Sequence, residues 1–136
     1  MDKRNYKDLM VWQQAIGLVP VVYAVVRRLP REENYALGDQ LRRAVVSIAA
    51  NIAEGQARRH PREFLQHLSI AKGSLAELHT LVVISERLNY IPGSTLTEVE
   101  TAIADLSRPL HRLHDAISRL PTTNNQPRTA SRAVKS

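Results

Sequence analysis

Cysteine is absent from these 136 residues, which excludes disulfides, zinc–thiolate centres and cysteine nucleophiles. Aromatic residues amount to only 4%, too few to build a stacking platform for single-stranded bases. There are five glycines, and Gly38, Gly55 and Gly73 stand isolated, so no glycine-rich phosphate loop is present. The opening, MDKRNYKD, is polar, and no apolar run reaches the length of a bilayer span. Neither a signal peptide nor a membrane anchor is expected, and the expected location is the cytoplasm. What remains is a chain whose apolar content is mostly Ala, Leu, Val and Ile, long enough to bury one core of helices.

Residues 40–59, QLRRAVVSIAANIAEGQARR, organise the rest. On a helix turning about 100° per residue, Leu41, Val45, Ile48 and Ile52 form a core stripe. Gln40, Arg43, Ser47, Asn51 and Glu54 gather on another face. The segment contains no lysine, and Ala44, Val46, Ala49, Ala50 and Ala53 flank the stripe. A helix that is apolar or small nearly all round is a buried helix. One short bundle does not cover it on every side, so a subunit interface is inferred.

The first helix is predicted over residues 8–29, capped by Asp8. Its core residues are Leu9, Trp12, Ile16, Val19, Val22 and Val26, and a kink is expected at Pro20. Asn34 is the expected cap of the second helix, and Gly55 is expected to close it before a basic turn. Pro61 then suits the first position of a third helix, with Glu63 complementing its dipole. Phe64, Leu68, Ala71, Leu75, Leu78 and Val82 make that helix's stripe. Its second face carries Glu63, His67, Ser74 and Glu77, with Ile70 and Leu81 between them.

Pro92-Gly93 marks a turn, and Thr95 with Glu98 reads as a capping box. Leu96, Val99, Ile103, Leu106, Leu110, Leu113, Ile117 and Leu120 then alternate steps of three and four, with a bend expected at Pro109. The fold expected is all-α, an antiparallel up-down-up-down four-helix bundle over residues 1–120. Residues 121–136 have almost no apolar content and are expected to form a disordered basic tail. Arg128, Arg132 and Lys135 supply half of the formal charge of +6.

Chemistry-bearing patterns are sparse. A di-iron carboxylate bundle needs Glu-x-x-His on two helices, and this sequence has none. His111, His114 and Asp115 share a face of the last helix, where a solvated flank is the simpler reading than a metal site. Ser47 and Ser74 lie mid-helix, without the elbow that exposes a nucleophile. No metal, cofactor or catalytic residue is assigned, and a non-enzymatic protein is expected.

Two patterns carry functional readings. Arg43, Ser47, Asn51 and Glu54, joined by Ser74 and Glu77, form either a ligand pocket or a polar network at a helix or subunit contact. Buried charge must be paired, and Glu54 or Glu77 could pair Arg43, which favours the network. Arg42, Arg58, Arg59 and Arg62, with His60 and with Arg27, Arg28 and Arg31 nearby, form the basic set. Arg58, Arg59 and Arg62 border a helix N-terminus that suits phosphate. The other reading is an ordinary solvated loop.

The segment LPREENYALGDQLRRAVVSIAANIAEGQARR, followed by EFLQHLSIAKGSLAEL and LNYI, resembles bacterial four-helix-bundle proteins encoded in large-subunit ribosomal RNA intervening sequences. The opening DLMVWQQAIGLVPVVY resembles theirs too, and Arg42, Arg43, Ala44, Ser47, Ile48 and residues 51–55 carry the most specific part of the likeness. Ala36, Ala49 and Ala57 depart from the pattern. The chain is also similar to the accessory variability proteins of diversity-generating retroelements. That resemblance implies a homopentamer and, for the retroelement branch, contacts with nucleic acid and a reverse transcriptase. The expected function is a nucleic-acid-associated accessory or scaffold protein; the alternative is a scaffold that binds protein alone.

Overall fold

In a computed structural model, residues 6–121 are described, and they form four α-helices with no strand. These are α1 (Met10–Val26), α2 (Leu37–Arg58), α3 (Pro61–Arg87) and α4 (Gly93–Ser118), with 3-10 turns at Tyr6–Asp8 and Arg31–Glu33. Helix α2 packs against α1 and α3, and α4 packs against α3 and α1, so the four surround one core. The predicted tail, from residue 122 onward, lies outside the described residues.

The core follows the apolar periodicity of α2 and α3. Leu41, Val45, Ile48 and Ile52 are fully buried, as are Leu68, Ala71, Leu78 and Val82, with Phe64 and Leu75 nearly so. In α4, Val99, Ile103, Leu106 and Leu110 are buried, Leu96, Leu113 and Ile117 pack at the margin, and Leu120 is exposed. Helix α1 departs from expectation. Its buried residues are Val11, Ala15, Leu18, Val22, Val25 and Val26, whereas Ile16 is 43% exposed. Almost every position of α1 is apolar, so periodicity could not choose between two stripes. Packing against α2 and α4 chose the one whose small Ala15 permits close approach.

The helix ends are where the sequence signals misled. Leu9, not Asp8, is the N-cap of α1, because residues 6–8 form a 3-10 turn, and the helix stops at Val26, before the predicted end. Asn34 does not cap α2. The helix starts after Ala36, and Glu33 Oε1 accepts the Leu37 N–H at 3.4 Å. The other Glu33 oxygen accepts the Tyr90 hydroxyl at 2.8 Å, tying the start of α2 to the α3–α4 connection. Ionising Tyr90 would break that bond and set a phenolate beside a carboxylate, which holds its pKa above the usual value. Thr95 and Glu98 form no capping box, since α4 already begins at Gly93, and Thr95 Oγ1 accepts Arg28 Nη1 at 3.1 Å.

Gly55 does not end α2. It is buried inside the helix, where a Cβ would stand 2.7 Å from His67 Cβ and 3.0 Å from Phe64 Cδ1. Its missing side chain is what lets α2 and α3 approach. The helix runs on to Arg58 and closes on Arg59, which takes the left-handed conformation with φ of 58°. Pro61 occupies the first turn of α3 as expected, and α1 and α4 both remain helical through Pro20 and Pro109. By length and composition α3 could cross a membrane, which corrects the expectation that no apolar run is long enough. Its apolar side is the bundle core, and 44% of the qualifying stretch is buried.

Candidate functional site

Helices α2 and α3 carry both functional patterns, a polar seam between them and a basic corner where they join. The seam starts at Ser74, whose hydroxyl lies 3.0 Å from Ser47 Oγ. Asn51 Nδ2 donates to Ser47 Oγ at 3.0 Å and to the Ser47 carbonyl at 2.9 Å. With the amide nitrogen so used, Asn51 Oδ1 must accept, and it lies 3.0 Å from His67 Nδ1. His67 therefore carries its proton on Nδ1 and donates. The same nitrogen is 4.0 Å from Glu54. The seam is half-buried and its hydroxyl and amide groups satisfy one another, which leaves no free nucleophile.

The structure thus brings Ser47, Asn51, Glu54 and Ser74 together but not Arg43 or Glu77. Both of these are exposed and make no hydrogen bond or ion pair among the described residues. The expectation of a buried, paired Arg43 fails within one chain because Arg43 sits on the outer side of α2. His67 is the member that sequence reasoning left out of the network. Its wheel position beside Ser74 was the available signal, and Gly55 was the other, since its lack of a side chain admits the ring.

The basic set divides as well. Arg42 is tied down: Nη2 donates to Asp39 at 2.7 Å and to the Asn34 carbonyl at 2.7 Å, and Nη1 donates to Asn34 Oδ1 at 3.3 Å. Arg58 faces Glu54 at 3.2 Å and Glu63 at 3.7 Å, so much of its charge is neutralised locally. Arg59 and Arg62 are exposed with no partner among the described residues, and exposed His60 stands between them at the start of α3. Of the four arginines of the basic set, Arg42, Arg58, Arg59 and Arg62, the last two have no partner among the described residues.

The histidines of α4 serve its seam with α3. Lys72 Nζ donates to His111 Nδ1 at 3.2 Å, His111 Nε2 faces Asp115 at 3.6 Å, and His114 Nε2 lies 3.2 Å from Ser69 Oγ. Burial, reinforced by Lys72, holds the His114 pKa below its ordinary value, and its Nδ1 is buried without a partner. No group of three or more His, Asp or Glu side chains among the described residues is arranged to hold a metal ion.

Residues 7–112 match the family model described as 23S rRNA-intervening sequence protein. No curated protein matches the chain.

Proposed function

The chain belongs to the 23S rRNA-intervening sequence protein family, and from that premise we propose that it is a non-enzymatic, homo-oligomeric bundle acting as a nucleic-acid-associated accessory or scaffold. The observation that carries the reading is the pair of free guanidiniums, Arg59 and Arg62, flanking the N-terminus of α3. Unpaired arginine beside unsatisfied helix N–H groups attracts phosphate without reading bases. The internally satisfied Ser47–Asn51–His67 seam supports a structural rather than a catalytic role for the other pattern.

The bundle we propose is antiparallel, up-down-up-down. Supporting this, rising numbers on one helix meet falling numbers on the next in the pairs Ser47–Ser74 and Asn51–His67, and again in Ser69–His114 and His79–Glu100. A pentameric, cytoplasmic assembly that engages RNA, or RNA with a reverse transcriptase, is the finer form of the proposal and rests on family resemblance.

Fluorescence anisotropy with structured RNA and duplex DNA, across a salt series, tests the nucleic-acid reading. Binding is expected to be indifferent to sequence and to weaken by roughly 0.9 log units per contact per log unit of salt on duplex DNA. Arg59→Glu with Arg62→Glu is expected to abolish it without changing the helical melt. If the intact protein binds neither polymer at low salt, the reading falls to the protein-binding scaffold.

A further inference from the structure

The outer surfaces of α2 and α3 present unlike but matching features. On α2, Val46 is 46% exposed and Ala50 is exposed, and beside them runs a groove against α1 lined by Trp12, Ile16, Val19, Ala49 and Ala53. This groove, about 340 Å³, is apolar along its length. At its far end stands Arg43, unpaired among the described residues, in a second depression with Tyr23, Val46 and Asp39. Asp39 is already committed to Arg42, so Arg43 lacks an acid. On α3 the outer side carries Ile70, 50% exposed, and Ile84, 40% exposed, with Glu77 between them and unpaired. Gly73 lies on the same side with open space where a Cβ would stand.

We propose that the α1/α2 groove of one chain receives the outer ridge of α3 from a second copy, with Arg43 of one chain paired to Glu77 of the next. This rests on the homo-oligomeric reading and names the faces that build it. The helical register supports the match. Arg43 to Ala50 and Glu77 to Ile70 are each seven residues, about 10 Å of helix rise. With Glu77 set against Arg43 and the two helices antiparallel, Ile70 falls on Ala50, where the α2 surface is smallest. Val46 then stands one residue, about 1.5 Å of rise, from the level of Gly73, close enough for a protruding side chain to fill that notch. Two exposed charges gain their missing partners in the same register.

The alternative occupant is a second copy's identical groove. That arrangement sets one concave surface against another, so neither groove is filled, and it brings no acid to Arg43. A groove on one side and a ridge on another make a head-to-tail contact, which closes into a ring when the rotation between copies allows it.

The absence of native cysteine gives a clean test. Full-length Arg43→Cys and Glu77→Cys variants, mixed at micromolar concentration and oxidised, are expected to form a covalent dimer that neither forms alone. A chain carrying both changes is expected to give a ladder beyond the dimer on denaturing gels. Light scattering on Arg43→Glu, Glu77→Arg and the double swap checks the pair independently. Each single reversal is expected to lower the mass of the particle, and the swap to restore it, with helical content by circular dichroism unchanged throughout. Self-linking of Arg43→Cys alone, a ladder that stops at the dimer, or reversals without effect on an oligomeric wild type each overturn this pairing of faces while leaving the oligomer intact. A monomeric wild type overturns the oligomeric reading and the pairing together.

Discussion

Helix α2 has two basic ends that look alike in sequence and differ in the fold. At its start Arg42 reaches back to Asn34 and across to Asp39, and its charge is spent inside the chain. At its end Arg59 leaves the helix in a left-handed conformation and projects into solvent, with Arg62 beside it. The difference teaches that a cluster of arginines measures potential charge, whereas free charge depends on which carboxylates and carbonyls the turns deliver. Arg42 acts as a clasp for the α1–α2 connection, and Arg59 and Arg62 stay exposed with no partner among the described residues.

The largest effect that would sharpen this contrast is at the free corner's foundation. Gly55→Ala places a Cβ against His67 and Phe64, and overpacking of that kind costs roughly 1–3 kcal/mol. Thermal unfolding followed by circular dichroism should show a lower Tm even though alanine is the better helix former. An unchanged Tm would mean that α2 and α3 separate freely and that the corner is not held in place.

Arg42→Ala comes next. It strands Asp39 and Asn34 and is expected to cost about 2 kcal/mol by denaturant titration. RNA affinity is expected to be unaffected. A loss of affinity at constant stability would erase the distinction between the two ends.

Arg59→Gly is expected to move stability and affinity in opposite directions. Glycine relieves a left-handed residue and should stabilise by about 1 kcal/mol, while the loss of one phosphate contact lowers the salt slope by roughly 0.9. Stability alone changing would leave Arg62 as the single contact. The two readouts together separate backbone strain from charge.

The smallest effect lies on α4, away from both ends. His114 is held neutral in the fold, so the unfolded chain binds its proton more readily. Stability from this group is therefore present above the ordinary histidine value of 6.5 and declines as pH falls from there through the lower folded-state pKa. His114→Gln is expected to flatten that slope in urea titrations across this range. An unaltered slope would show that His114 does not carry the acid sensitivity.

Much of the fold was legible because a repeating apolar face survives any local error. The stripes from Leu41 to Ile52, from Phe64 to Val82 and from Val99 to Leu110 lie where their spacing puts them. The first helix was legible as a helix but not as a face, since Val11 and Ile16 are equally apolar. Caps were poorly legible. Asp8, Asn34 and Thr95 are all good capping residues, yet the helix ends fell elsewhere: Asn34 is engaged by Arg42, Thr95 by Arg28, and Glu33 accepts the first N–H of α2. In the seam, Ser47, Asn51, Glu54 and Ser74 were legible as a group, whereas His67 entered through the space left by Gly55.

The sequence by itself determined the class of fold, the number of helices and the inward sides of three of them. Those are properties of one helix at a time, set by 3.6 residues per turn and by burial of apolar surface. Tertiary structure alone decided that Arg42 is bound, that Arg59, Arg43 and Glu77 face outward with no partner among the described residues, and that His67 completes the polar seam. Each of these depends on distances between groups on different elements. Hydrogen bonds and ion pairs form only within a few ångströms, and only packing sets which groups meet at that range.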